Sequence, residues 1–570
     1  MKYSEFKYVR PDIDKTIQDF SNYIQKFDKA RTAEEESEVI DLVNELRNNF
    51  DTMKALAYIN YSNDTLNKSF EEEQEYFDNC SPMYEDINNR YYRSLLKSNF
   101  RDELVKKYGN LLFDIAAITI KSSDHRIVQE MQKENHLCSE YMKLRAGAKI
   151  NFEGEIRNLQ EMEPFMESTD REIRKNAFHD YWKFYSDNAE EFDEIYDKLV
   201  KLRNEMGLKM GYKNFIELGY ARMQRLDYTE DMVDGFRENI KKYFVPVVNK
   251  LRERQRIRLG LDKLMVYDLF SQFKSGNATP KGNPEWILNK GKQMYDEFSE
   301  STSEFYNFML ENELMDVENR KGKDLGGFCS YIPGYKSPYI FSNMNGTHGD
   351  ITVLTHEAGH AYQAFESRNI DVPEYRSPSS DACEIHSMSM EFLTYPWMNL
   401  FFEEDTDKFI FEHIMECISF LPYGVLVDDF QHWIYKNPDA TPVERKLQWR
   451  EMEKTYMPHL DFGEIEFLEK GGRWQKQAHI YEMPFYYIDY CLAQICAFQF
   501  WSRAIHNGDK NGNYQKSVEE YISLCKKGGT KLFLELVKET GLGSPFDESI
   551  IKSLAAELEI YIDNIDDSKL

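Results

Sequence analysis

Glycine and proline are scarce, 28 and 17 residues in a chain of 570. With so few breakers, and apolar residues recurring at three- and four-residue spacing, the chain reads as long helices joined by modest loops. Cysteine is scarcer still. The eight present lack the paired spacing of a zinc ribbon, which argues against a disulfide framework and for free thiols in a reducing compartment. Basic residues are outnumbered, 71 Lys and Arg against 99 Asp and Glu, and the formal charge of −28 repels phosphate backbones and anionic lipid. No basic patch offsets it, since the run from Lys250 to Arg258 reads as the solvated face of a helix. No uninterrupted apolar run is long enough to span a membrane, and Met1 to Lys7 is charged, without the apolar core of a secretion signal. The expectations are no nucleic-acid partner, no membrane partner and a cytoplasmic location.

What is present is ample core-forming material, 41% hydrophobic and 14% aromatic, enough for more than one helical lobe. The expected fold is mainly α. The densest Gly/Pro stretch, Lys274 to Pro284, reads as an exposed loop. One region reads as strand, where Phe328 to Ile332 and Tyr339 to Asn343 are rich in aromatic and β-branched residues around Pro333-Gly334 and Pro338. A small sheet is expected there, and the run from Tyr339 to Asn345 is a candidate to pair its backbone with an extended peptide. The helix-capping run Ser168-Thr169-Asp170 marks a border between an N-terminal helical region, 1–165, and the remainder, 166–570.

Chemistry concentrates in His356-Glu357-Ala358-Gly359-His360. On a helix the two imidazoles lie one turn apart and can share one zinc ion, with the adjacent carboxylate placed to act on water. At about 100° per residue, Ile351, Leu354, Ala358, Ala361, Tyr362 and Phe365 share one face, with His356 and His360 nearly opposite. Gly359 costs roughly 1 kcal/mol of helix propensity relative to alanine, which points to a backbone or substrate passing close by. A hydrolytic zinc needs a third protein ligand. Gln363 and Glu366 stand where an extended three-histidine pattern would differ, so a glutamate is expected, with Glu366, Glu374 and Glu384 as candidates. Glu366 is turned away from His360. On a second helical stretch Asp381, Glu384, Met388, Glu391 and Tyr395 share a face, so Asp381 and Glu391 could orient the histidines from behind. His386 points away from that face, and Cys383 is a softer, less well aimed donor.

These residues carry a resemblance. Glu384-Ile385-His386-Ser387-Met388-Ser389-Met390-Glu391, together with the His356 to His360 motif, resembles the M3 family of zinc oligopeptidases, most of all its oligoendopeptidase F branch. The likeness extends to Pro338-Tyr339-Ile340, Asn345-Gly346-Thr347, the segment His479 to Tyr490, and the late Gly528-Gly529 and Gly541. It implies two helical lobes enclosing a deep channel that admits short unfolded peptides, with a small sheet beside the zinc helix. It also implies one zinc held by His356, His360 and Glu384, and Glu357 as general base and acid. His479, Tyr487 and Tyr490 match the family's transition-state-binding histidine and tyrosines. The segment departs from the better-known branch in its shorter spacing and in Pro484, so Tyr486 competes with its neighbours. Without the resemblance, Tyr487, Tyr490, Cys491, Gln494, Phe498 and Trp501 read as a core stripe at helical spacing. Two other functions fit the metal motif: a helical peptide-binding protein with a structural metal, and a zinc enzyme acting on other amides or esters.

Overall fold

The computed structural model describes residues 1–507 and 513–570. The chain opens with helices α1 (Ile13–Lys29), α2 (Ala33–Asn63), α3 (Lys68–Leu96), α4 (Leu111–Ser122) and α5 (Val128–Ala146). Their starts are written locally: Asp12 accepts from Lys15 N and Thr32 from Glu35 N, each satisfying an amide the helix leaves unpaired. Phe20, Val43, Phe50, Phe77, Tyr91, Leu95 and Phe113 form a small core among α1 to α4, separate from the large core of the rest of the chain. A two-stranded hairpin follows, β1 (Ile150–Phe152) and β2 (Glu155–Arg157), its turn made by Glu153 and Gly154 at φ of 52° and 83°. The sequence reading missed it because three-residue strands leave no periodicity to detect.

A second sheet has the order β3–β5–β4, with β3 (Met315–Glu318) parallel and β4 (Phe328–Ile332) antiparallel to the central β5 (Ser337–Met344). All eight residues of β5 are buried, since strands flank it on both edges and a helix covers it. This corrects the expectation that Tyr339 to Asn345 would pair with a peptide. The sheet has two outer strands, β3 and β4, each with one edge left unpaired within the sheet.

Beyond the sheet come α6 (Gly349–Ser367), α7 (Ser380–Leu393), α8 (Thr406–Lys436) and α9 (Tyr487–Phe500). Helix α7 is sandwiched between α6 and α9, and α8 packs on α9. The turn into α6 is locked by Asp350, whose carboxylate accepts from Asn345 N at 2.8 Å and Gly346 N at 2.9 Å. The stretch Asn399–Lys436, containing α8, is long and apolar enough to cross a membrane, but 78% of its most apolar window is buried inside the protein. Its apolarity is that of a central core helix.

Candidate active site

Helix α6 buries Ile351, Leu354, Ala358, Ala361, Tyr362 and Phe365, as the face count required, and turns His356 and His360 toward a cavity of about 670 Å³. Tyr58 of α2 and Arg145 of α5 line one side, Phe328, Cys329 and Tyr331 of β4 another, and the segment from Lys476 to Tyr490 a third. Gly359 faces α7 without a side chain because an added Cβ would lie 2.6 Å from His386 O and from Ser387 Cα. The two helices therefore touch backbone to backbone, the close approach that the glycine implied. That contact brings Glu384 under the histidines: its Oε2 lies 3.3 Å from His356 Nε2 and 3.3 Å from His360 Nε2.

Two imidazole nitrogens and a carboxylate oxygen converging so closely form a donor set for one metal ion. Ligands bonded at about 2.0–2.2 Å in a tetrahedral arrangement stand a little over 3 Å apart, so the side chains fit the ion without rearrangement. The set is held from behind. His356 Nδ1 meets Glu391 Oε1 at 2.7 Å, and the other oxygen, Oε2, meets His413 Nε2 at 2.7 Å, whose Nδ1 in turn meets Tyr395 OH at 2.6 Å. Ser387 Oγ donates to Glu384 Oε2 at 2.9 Å, and Tyr486 OH donates to Oε1. Burial opposes ionisation of Glu384, but His360 and His356 outweigh it and hold its carboxyl well below the usual range. Desolvation pushes the Glu357 carboxyl up, against the pull of the same imidazoles. Glu357 is 5% exposed, and its Oε2 has no hydrogen-bond partner. That oxygen is free for a water or a substrate proton.

A second hydrogen-bonded line enters from the far wall. Tyr423 OH donates to Gln477 Oε1 at 2.9 Å, which fixes the amide so that Gln477 Nε2 faces His479 Nδ1 at 2.9 Å. Burial lowers His479 to about 4, so the ring is neutral. With Nδ1 accepting, the ring proton sits on Nε2 and donates to Tyr490 OH at 3.2 Å. The hydroxyl hydrogen of Tyr490 is then free to point into the cavity.

The remaining candidates separate cleanly. Tyr486 and Tyr490 line the cavity, whereas Tyr487 packs edge-on against Phe420 and Tyr423 and is absent from the lining. Glu374 is bound to Arg47 and Tyr92, each at 2.6 Å, and Glu366 lies 4.0 Å from Lys526. Asp381 accepts from Ser379 and from its own helix start instead of orienting a histidine, the role the sequence had led us to expect. His386 is fully buried, and Cys383 lines the cavity without joining the donor set. Sequence reasoning missed His413, Gln477 and Tyr423. It noted Gly528-Gly529 without a role: added Cβ atoms there would stand 2.5 Å from Tyr375 O and 2.3 Å from Ser377 O, so the pair lets the chain cross the segment leading into α7.

Residues 3–123 match the Peptidase M3 N-terminal domain and residues 164–556 match Peptidase family M3. Oligopeptidase PepF of Bacillus subtilis (strain 168) is 24% identical over 397 residues, covering 68% of this chain and 56% of that protein. The Oligoendopeptidase F homolog of Borreliella burgdorferi is 25% identical over 390 residues, covering 66% of this chain and 63% of that protein. The chain thus spans less than two thirds of the length of these curated relatives. The solved structure of PZ peptidase A with inhibitor 2 superposes with a TM-score of 0.98 at 50% identity, covering 100% of both chains.

Proposed function

Because the chain belongs to peptidase family M3, we propose that it is a zinc-dependent endopeptidase that hydrolyses short unfolded peptides in the cleft beneath α6. One observation carries the reading. A three-residue metal donor set, an unpartnered buried carboxylate and a phenol with a free hydroxyl hydrogen face a single cavity.

His356, His360 and Glu384 would hold the ion, with one zinc per chain. When bound, zinc supplies Lewis acidity that polarises a carbonyl and acidifies a water toward about pKa 7. The protein's own groups do the rest. Glu357 takes the proton of the attacking water at its free Oε2 and returns it to the leaving amine nitrogen, a task helped by the burial that raises its carboxyl above the usual range. Tyr490 donates to the carbonyl oxygen as charge develops there, and His479 orients that phenol while staying neutral. Tyr486, bonded to Glu384, is read as a positioning residue for the ligand, and Tyr487 as packing.

The free edge of β4 supports binding of an extended chain by strand addition. A cavity of about 670 Å³ is the size of a small-molecule site, which favours short peptides over folded proteins. Residues 1–165 would form one wall of the channel and 166–570 the catalytic part. The eight free cysteines support the cytoplasm as the setting.

The deciding experiment is Glu357→Gln with bound metal measured alongside turnover of a peptide library. We expect about one equivalent of zinc retained and hydrolysis reduced by ~10²–10⁴, the usual contribution of a positioned general base. Turnover near wild type in the zinc-loaded variant would refute the assignment.

A further inference from the structure

A second group of metal-capable side chains lies eight residues before His356, at the start of α6. His348, which precedes the first residue of α6, is 6% exposed and points its two ring nitrogens at carboxylates from elsewhere in the chain. Its Nε2 meets Glu416 Oε1 of α8 at 3.0 Å. Its Nδ1 stands 3.7 Å from Glu412 Oε1, one helical turn earlier on α8, and 3.9 Å from Glu167 Oε2. Neither of those separations is a hydrogen bond. His348 Nδ1 and both oxygens of Glu412 are buried without any partner, and Glu412 is 0% exposed.

A fully buried carboxylate with no donor is costly unless something neutralises it. Burial pushes the Glu412 carboxyl up, with Glu416 and Glu167 adding to the shift against His348. The charged groups around the cluster do not complete it. Asp350 spends its oxygens on Asn345 N and Gly346 N, Asn277 Nδ2 reaches Glu167 Oε2 at 3.4 Å, and Arg252 bonds Gln255 without an ion pair to Glu412 or Glu416 among the described residues. The donor atoms of His348, Glu412 and Glu416 come together as those of His356, His360 and Glu384 do in the candidate active site.

We propose that His348, Glu412 and Glu416 form a second divalent-cation site, with Glu167 beside the imidazole and a solvent opening on the side of Glu416, whose side chain is 45% exposed. One imidazole nitrogen with two carboxylates suits a borderline first-row ion such as Mn²⁺ or Zn²⁺ better than Ca²⁺, which takes six to eight oxygens. An ion here would tie the start of α6 to α8, fixing the metal helix at its N-terminal end.

The test is a Mn²⁺ titration of the zinc-loaded protein, following free Mn²⁺ by electron paramagnetic resonance and total metal by mass spectrometry. The wild-type protein should bind one Mn²⁺ beyond its zinc and melt at higher temperature when Mn²⁺ is added. Glu412→Gln should weaken that uptake at least tenfold while keeping zinc. Glu384→Gln should lose the zinc yet keep the Mn²⁺ equivalent, so failure here is distinguishable from failure of the catalytic reading. No Mn²⁺ uptake by the zinc-loaded wild type would overturn the proposal without recourse to any variant. Unchanged uptake in a folded Glu412→Gln protein would do the same.

Discussion

Gly359→Ala tests how the metal site is assembled, because it adds one methyl group where the metal helix touches its neighbour. On an exposed helix the change would recover about 1 kcal/mol of propensity. Here the new Cβ would sit 2.6 Å from His386 O and Ser387 Cα, and 3.0 Å from His386 C. All three are backbone atoms, so no rotamer change relieves them. Reaching the 3.4 Å of ordinary contact needs α6 and α7 to part by about 0.8 Å. Overpacking of this kind typically costs ~1–3 kcal/mol, so net stability should change little or fall by up to about 2 kcal/mol. The proposed metal site has less tolerance. Glu384 Oε2 is 3.3 Å from both imidazoles, and metal–ligand distances hold within about 0.2 Å. Parting the helices draws Glu384 away from His356 and His360, and we expect zinc affinity to fall by at least ~10–100-fold, the loss that disturbed outer partners alone produce. Competition against a chromophoric chelator measures this, with circular dichroism confirming the fold. A folded Gly359→Ala protein binding zinc within twofold of wild type would refute the argument that backbone contact sets the ligand geometry.

Glu391→Gln leaves one amide oxygen where two carboxylate oxygens served His356 Nδ1 and His413 Nε2; zinc affinity should drop by ~10–100-fold, and equal affinity in chelator competition would show that the pair is merely packed. Tyr490→Phe should lower kcat by ~10²–10³ with zinc retained. Tyr487→Phe should leave kcat nearly unchanged, and the reverse order in steady-state assays would restore Tyr487 as the donor. Gln477→Ala frees the His479 tautomer and should lower kcat more than it raises KM. A change confined to KM would sink the orienting role. Burial, reinforced by Asp324, pushes Glu482 up to about 8. The native chain then keeps a proton that the unfolded chain has lost, so this group's contribution to stability is full below about pH 4 and disappears as pH rises through 8. Glu482→Gln should flatten that part of the decline, and parallel denaturation midpoints for both proteins from pH 5 to 9 would contradict it.

Several features of the site were legible because they are local. The 3.6-residue period divided α6 into a buried face and a histidine face, and it set Glu384 and Glu391 on one side of α7. Gly359, at a helix centre, pointed to a backbone or a substrate passing close by, and the neighbour is the His386–Ser387 backbone. Other features were not legible. Asp381 shares the face of Glu384 but lies a turn away, toward Ser379 and its own helix start, where packing commits it elsewhere. Tyr486, Tyr487 and Tyr490 differ in sequence by a few residues. Which ring enters the cavity depends on the turn from Pro484 to Tyr486 and on the aromatic cluster of Phe420 and Tyr423. The peptide-pairing strand was assigned to β5 because its residues suit a strand, yet strand propensity does not say which edge stays free.

The sequence by itself determined the helical class, the helix that carries His356, Glu357 and His360, and the kind of residue needed to complete a metal site. Periodicity and ligand chemistry are properties of neighbouring residues, so a linear reading captures them. Only the tertiary structure decided how the distant parts meet: Glu384 beneath both histidines, Glu391 and His413 behind them, Tyr423 and Gln477 orienting His479 and Tyr490, and β4 as the outer strand that lines the cavity. Those pairings join residues tens to hundreds of positions apart, and they depend on how helix backbones approach and how buried polar groups find partners. No local pattern in the chain encodes that outcome.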